Sequence, residues 1–329
     1  MSLIVEPKTY SGKELESIFF RPMLSGPDAR ELGIKVLYNM PVPTVLNFWR
    51  RASDILQKFD SAGWTGGEGS EKYQKTIELH KVKAEMGYAA SDYFSMVFEQ
   101  ITNGSDINLD DLSGTALEEA ETRLFKEAIA ESIRATLWLG STTRTSGLFS
   151  TFDGFLKKMV DEFDDDEPQI TFASITSTDY NAENAGETIL KRAWDNASDI
   201  LKEFKSQGNL VYFVTSEIYA KYEDSLDSAT LEGAYQAKQQ GRESLSYRGI
   251  PVVDVQLSNY LAQAGDLPQN FALLTDRRNL ALAVNTADFP GTEVRMWYNP
   301  DEMQNRQRAV FMAGCDYLLP ELVSLIVKS

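Results

Sequence analysis

The 329-residue chain is poor in several kinds of residue. Its single cysteine, Cys315, excludes an internal disulfide and fits a reducing compartment. A lone histidine, His80, leaves little room for a zinc site, and a Ser-His-Asp triad would have to use it on a mobile loop, a poor place to preorganise a base. The sequence holds no window of eighteen uncharged apolar residues, so no membrane-spanning helix is expected. The opening MSLIVEPKTYSGKELE has only a short apolar patch before its charges, unlike a secretory signal. Nucleotide-binding fingerprints are absent. The glycine-rich GGEG continues into Ser70-Glu71 without the Lys-Ser/Thr of a phosphate loop, and its carboxylates stand where an anion would sit.

Lysine and arginine are also scarce. The formal net charge is -17, with 32 basic against 49 acidic residues. Residues 1–60 carry eight basic and seven acidic residues, so the acidity lies in the remainder. The sequence shows no basic stripe or tail, and tight nucleic-acid binding is not expected. Acidity weakens unscreened self-contact, so any self-association should depend on salt.

The size and an apolar content of 43% allow two domains or one large elaborated one. Residues 1–50 hold Pro7, Pro22, Pro27, Pro41 and Pro43 of eleven prolines, and NMPVPTVLNFW suits an extended arm laid on another surface. Residues 59–95 read as a long hairpin with Gly63, Gly66, Gly67 and Gly69 at its tip. Its return strand KTIELHKVKAEMGYAAS alternates, with Ile77 and Leu79 on one face and Glu78 and His80 on the other. That strand reads as too polar for a core, and such a hairpin is marginal unless it packs on something else.

Apolar residues at helical spacing predict a long helix over 115–139, from a Thr115/Glu118 capping box to Gly140. At 1.5 Å per residue it is a rod of ~36 Å across which other elements can lie. A second helix is predicted from about Asn184 to Gln207, ended by Gly208. The strand Leu210–Thr215 and a short helix over SEIYAKYEDSL follow. Further strands are predicted at PVVDVQL, FALLTD, NLALAVN, TEVRMWY and QRAVFMAG. The last two read as a hairpin in which Val294, Met296 and Tyr298 alternate, as do Val310 and Met312. This mixture, without regular βαβ repetition, predicts an α+β fold.

Catalytic signals are thin. The acidic run DEFDDDEP offers Asp161, Asp164, Asp165, Asp166 and Glu167 as oxygen ligands for Mg²⁺ or Ca²⁺. It departs from the calcium-loop pattern and also reads as a solvated turn before a strand. A divalent-metal hydrolase built on this run is the enzymatic alternative; no catalytic residue, cofactor or metal ligand is otherwise predicted.

The order of elements resembles the major capsid proteins of tailed bacteriophages, the Hong Kong 97 fold. EAIAESIRATLWLGSTT is similar to the end of that family's spine helix, and GLFSTFDGFLKK to the segment after it. NLVYFVTSEIYAKYEDSL resembles the axial-domain strand and short helix, YRGIPVVDVQL the G-x-P-V-V strand, and FALLTDRRNLALAV the following strand pair. The resemblance spans about residues 50–329 and implies an N-terminal arm (1–58) and an extended loop hairpin (59–95). It further implies a peripheral domain (96–182) with the spine helix, an axial domain (183–290) and a return to the peripheral domain (291–329). It also implies a non-enzymatic, self-assembling subunit. Pentamers and hexamers would form an icosahedral shell in the host cytoplasm, enclosing motor-packaged double-stranded DNA without tight sequence-specific binding. Scaffolding, portal and decoration proteins would be its partners. The arm begins almost at Met1, which resembles members served by a separate scaffolding protein. Some members cross-link lysine to asparagine; Lys72 and Lys75 lie near the hairpin tip, but no partner asparagine is identified. Read this way, Tyr247–Tyr260 lays a strand into the axial domain, with Pro251 at a strand start or edge. Phe48, Trp49, Trp64 and Tyr73 are the inter-subunit contact candidates. An encapsulin-like compartment enclosing a cargo enzyme is the alternative within the same fold.

Overall fold

The computed structural model describes residues 27–40, 44–50, 71–89, 116–144, 147, 149–163, 168–228, 245–286 and 294–328. In chain order the strands are β1 (Lys35–Leu37), β2 (Thr44–Arg50), β3 (Glu71–Ile77), β4 (His80–Ala89), β5 (Thr171–Ile175), β6 (Leu210–Val214) and β7 (Ser246–Tyr247). They continue with β8 (Ile250–Asp254), β9 (Phe271–Asp276), β10 (Leu280–Val284), β11 (Val294–Asn299), β12 (Gln304–Tyr317) and β13 (Val323–Lys328). The helices are α1 (Ala116–Leu139), α2 (Phe155–Phe163), α3 (Ser177–Tyr180), α4 (Ala185–Asn196), α5 (Asp199–Glu203), α6 (Ser216–Ser228) and α7 (Ser258–Leu261).

Two sheets organise the chain. A six-stranded sheet has the order β5-β13-β9-β6-β8-β7. Its central strands read LVYFV and FALL because both faces are covered. Val211, Phe213, Phe271 and Leu273 face one core, with α1 and α2. Leu210, Tyr212, Val214, Ala272 and Leu274 face a second core under α4, α5 and α6.

A five-stranded sheet is built around the 14-residue β12. β4 runs along one edge of β12, from Gln304↔Ala89 to Ala313↔His80. β11 and then β10 occupy the other edge, and β1 pairs in parallel with β10. The inner face of this sheet, with Val82, Phe311, Ala313 and Cys315, joins the same core as α1.

Trp138, near the end of α1, fastens the two sheets together. Its ring lies 5.5 Å from Phe155, 5.4 Å from Phe213 and 5.7 Å from Phe271, centroid to centroid. Helix α1 is thus the expected long helix, at the expected length. The buried Arg134 carries it across to β8: Nη1 donates to Val255 O at 2.7 Å, while Nε pairs with Glu131 at 2.8 Å. Glu131 also accepts from the Tyr260 hydroxyl at 2.8 Å. Burial, and then this carboxylate, raises the Tyr260 pKa.

Three expectations need correction. The single helix over 184–207 is broken at Ala197, whose ψ is 144°. Ser198 starts α5 by accepting from Leu201 N at 3.1 Å and donates to Glu321 O at 2.6 Å, so local capping outcompetes helix continuation. The strand after Lys75 is not one polar return strand. It splits at Glu78-Leu79; β3 pairs with β2, while β4 enters the five-stranded sheet with Val82 and Tyr88 buried. β2 itself lies in the segment read as the arm. His80 opens β4, half-buried, and so does not sit on a mobile loop. Val310 and Met312 alternate as expected, on the outer face of β12, and the core positions are Ala309, Phe311 and Ala313. With apolar residues on both faces, alternation alone could not set the phase; the pairing with β11 does.

The hairpin at Arg248-Gly249 turns between β7 and β8, with φ of 52° and 79°. Gly249 suits that left-handed geometry, which a residue with a side chain resists. Pro251 pairs with Ser246 of the two-residue edge strand, as a strand-start proline should. Residues 294–328 contribute to both sheets, through β11 and β12 in one and β13 in the other.

Candidate assembly surfaces

β2 and β3 form a two-stranded ribbon of their own. Its base is seated on the outer face of the five-stranded sheet. Leu46, Ile77 and Leu79 pack with Ala281, Ala283, Leu318 and Met312. Lys75 adds an ion pair to Asp316 at 3.6 Å, and its ammonium lies 4.6 Å from the Tyr317 ring centroid. Lys75 therefore belongs to the ribbon base and not to its tip. Asp316 also takes Lys158 of α2 at 3.0 Å. The seat is close: a Cβ on Gly314 would come within 2.0 Å of Glu78 O. No side chain fits there, which is why β12 carries a glycine at this point.

The ribbon register places Phe48 directly opposite Tyr73, and Trp49 opposite Lys72. Trp64, the hairpin tip, and Asp164–Glu167 of the acidic run lie outside the described residues. Of that run, Asp161 closes the last turn of α2 and pairs with Lys157. Among the described residues, no group of three His, Cys, Asp or Glu is arranged to hold a metal. Nor is any described helix long and apolar enough to cross a membrane. Burial pushes the Cys315 thiol far above its usual pKa, so it is packed and unreactive.

One surface escaped the sequence reading. On the outer face of β4, β12 and β11, alternate residues place Lys81, Lys83, Arg295, Arg306 and Arg308 together, against one carboxylate, Glu85. Glu85 lies between two of them, 2.8 Å from Lys83 and 3.3 Å from Arg308, and its pKa is lowered by the Lys83 hydrogen bond. Arg306 pairs with Glu302 at the β11–β12 turn. Trp297 is 42% exposed opposite Arg306, Met303 at the turn is 60% exposed, and Val310 is 36% exposed. The expectation that the chain forms no basic stripe is thus corrected. In the sequence each strand interleaves its cations with inward residues, and Asp301 and Glu302 mask them further. The legible signal was the second set of alternating positions, Arg295-x-Trp297 and Arg306-x-Arg308-x-Val310.

No protein-family model and no curated protein matches the sequence. Solved structures do match. The chain is similar to the capsid of a native GTA particle, at 14% identity over 99% of this chain and 96% of that one, with a TM-score of 0.62. It is similar to the capsid of Myoviridae phage XM1, at 11% identity over 98% and 100% of the two chains, with a TM-score of 0.55. The satellite phage P4 procapsid, a structure that includes the size determination protein, matches at 12% identity over 96% and 98%, with a TM-score of 0.54. At these identities the likeness is one of fold, and it runs the whole length of both partners: the chain has the Hong Kong 97-like α+β fold of phage capsid subunits.

Proposed function

We propose that this chain is the major capsid subunit of a bacteriophage or prophage, assembling with copies of itself into an icosahedral shell. The observation that carries the reading is the end-to-end match to capsid chains, with neither partner bringing a large extra domain. The ribbon supports it: a two-stranded element whose described side chains reach the body at its base needs another surface to pack on. On this reading the strength of the shell comes from arms and ribbons laid across neighbours, which bury more area than compact subunits could. Residues 1–58 are the arm, 59–95 the extended loop, 96–182 with 291–329 the peripheral domain, and 183–290 the axial domain. Phe48, Trp49, Trp64 and Tyr73 are contact residues between neighbours.

The subunits form pentamers and hexamers in the host cytoplasm, with scaffolding, portal and decoration proteins as partners. The net charge of -17 means the shell does not condense its genome by charge. Double-stranded DNA is instead driven in by a separate motor. The subunit is structural and not an enzyme.

Deletion of residues 62–72 tests the reading. The deleted protein should remain a folded monomer and form no shells under conditions where the intact chain does. Shells of normal size from the deleted chain would refute the role given to the ribbon. Nuclease-protected DNA inside purified particles is expected, whereas an enclosed enzyme would point to a cargo compartment.

A further inference from the structure

The basic face of β4, β12 and β11 has no role in the ribbon's seat, which covers the other half of the same sheet surface. Its make-up identifies the kind of partner it fits. Arginine, tryptophan and methionine are the residues enriched at the centres of protein interfaces. This face carries Arg295, Arg306 and Arg308 with exposed Trp297, Met303 and Val310. A phosphate backbone would leave the exposed Trp297, Met303 and Val310 of this face without an apolar partner. Charge complementarity therefore favours an acidic protein surface, and a second copy of this chain supplies one. Residues 171–228 hold ten acidic against five basic residues. Where α4 and α6 cross, Glu183, Glu187 and Glu223 are all exposed. There, burial and then the Glu187 carboxylate push the Tyr222 hydroxyl up to about 12.

We propose that the outer face of β4–β12–β11 docks onto the acidic surface of a second copy, head to tail. A basic face on one sheet and an acidic surface on the other give a heterologous contact, the type that closes into rings. The inference rests on the shell-subunit reading and adds to it the residues and the charge logic of one contact.

The test uses the full chain with R295E/R306E/R308E, and R295A/R308A as a milder second variant. Circular dichroism and melting establish that each is folded. Light scattering at 50 mM salt should show wild-type assemblies. Self-association should be weakened at least tenfold in the triple variant and less in the double variant, and wild-type association should fall as salt rises. A folded triple variant that assembles like wild type would overturn the inference and leave the shell reading intact. A wild-type chain that never associates would overturn both. Loss of binding to a random-sequence DNA duplex with unchanged self-association would also overturn it, and would assign the face to nucleic acid.

Discussion

The two sheets solve the same problem in opposite ways. The six-stranded sheet is covered on both faces, and its strands are continuously apolar. The five-stranded sheet is covered on its inner face; among the described residues its outer face divides between the ribbon's seat and an exposed basic surface. The first arrangement holds the chain together, and the second leaves surface exposed. Trp138 is where the two meet, since its ring touches residues from α2 and from the six-stranded sheet at the end of the helix that underlies the five-stranded one.

The largest expected effect comes from breaking that junction. Trp138→Ala should cost ~3–5 kcal/mol in a denaturant titration, because the void opens in a core shared by both sheets. Both sheets should then unfold in one transition. Arg134→Ala should cost ~3 kcal/mol, because it strands the Glu131 carboxylate and the Val255 carbonyl in a buried site. Arg134→Lys should rescue little, since an ammonium cannot reach Glu131, Val255 and Gln256 in one fork.

Gly314→Val separates the two regions. Its side chain would collide with the Glu78 carbonyl, at a cost of ~1–3 kcal/mol if the ribbon shifts to relieve it. Hydrogen exchange should rise in β3 while the six-stranded sheet stays protected, and particle assembly should fail.

The smallest effect is electrostatic. Arg144 binds both Leu139 O, at 3.0 Å, and the carboxylate of Asp266, at 2.8 Å from Nε. Burial opposes ionisation of Asp266, but the Arg144 hydrogen bond and charge outweigh it and hold its pKa below the usual carboxylate value. A depressed folded pKa gives stability that is present above the unfolded value, ~4, and lost as pH falls through the folded value. Melting curves between pH 5 and pH 3 should therefore fall less steeply for Asp266→Asn than for wild type. The difference should be small, since Asp266 is partly exposed.

Much of this was legible in the sequence, for particular reasons. The spine helix and the strands LVYFV and FALLTD carry dense local signals, and the structure reproduces them within a residue at nearly every end. The order of these elements was enough to indicate the fold. Illegible were features set by pairing across long separations. The union of β4 with β12 joins residues some 220 positions apart, and only that union makes Lys81, Lys83, Arg306 and Arg308 into one face. The break at Ser198 was visible in principle as Asn-Ala-Ser-Asp, a helix-start signal inside a predicted helix. β13 was missed because VSLIVK alone, at the end of the chain, does not reveal that it lies between β5 and β9.

The central claim is that this chain is built to associate with itself. Electron microscopy of the purified, untagged protein, with light-scattering mass across salt and protein concentration, tests it most directly. Uniform icosahedral shells, or pentamers and hexamers that weaken with salt, are the predicted result. A folded chain that stays monomeric at every salt and concentration would contradict it.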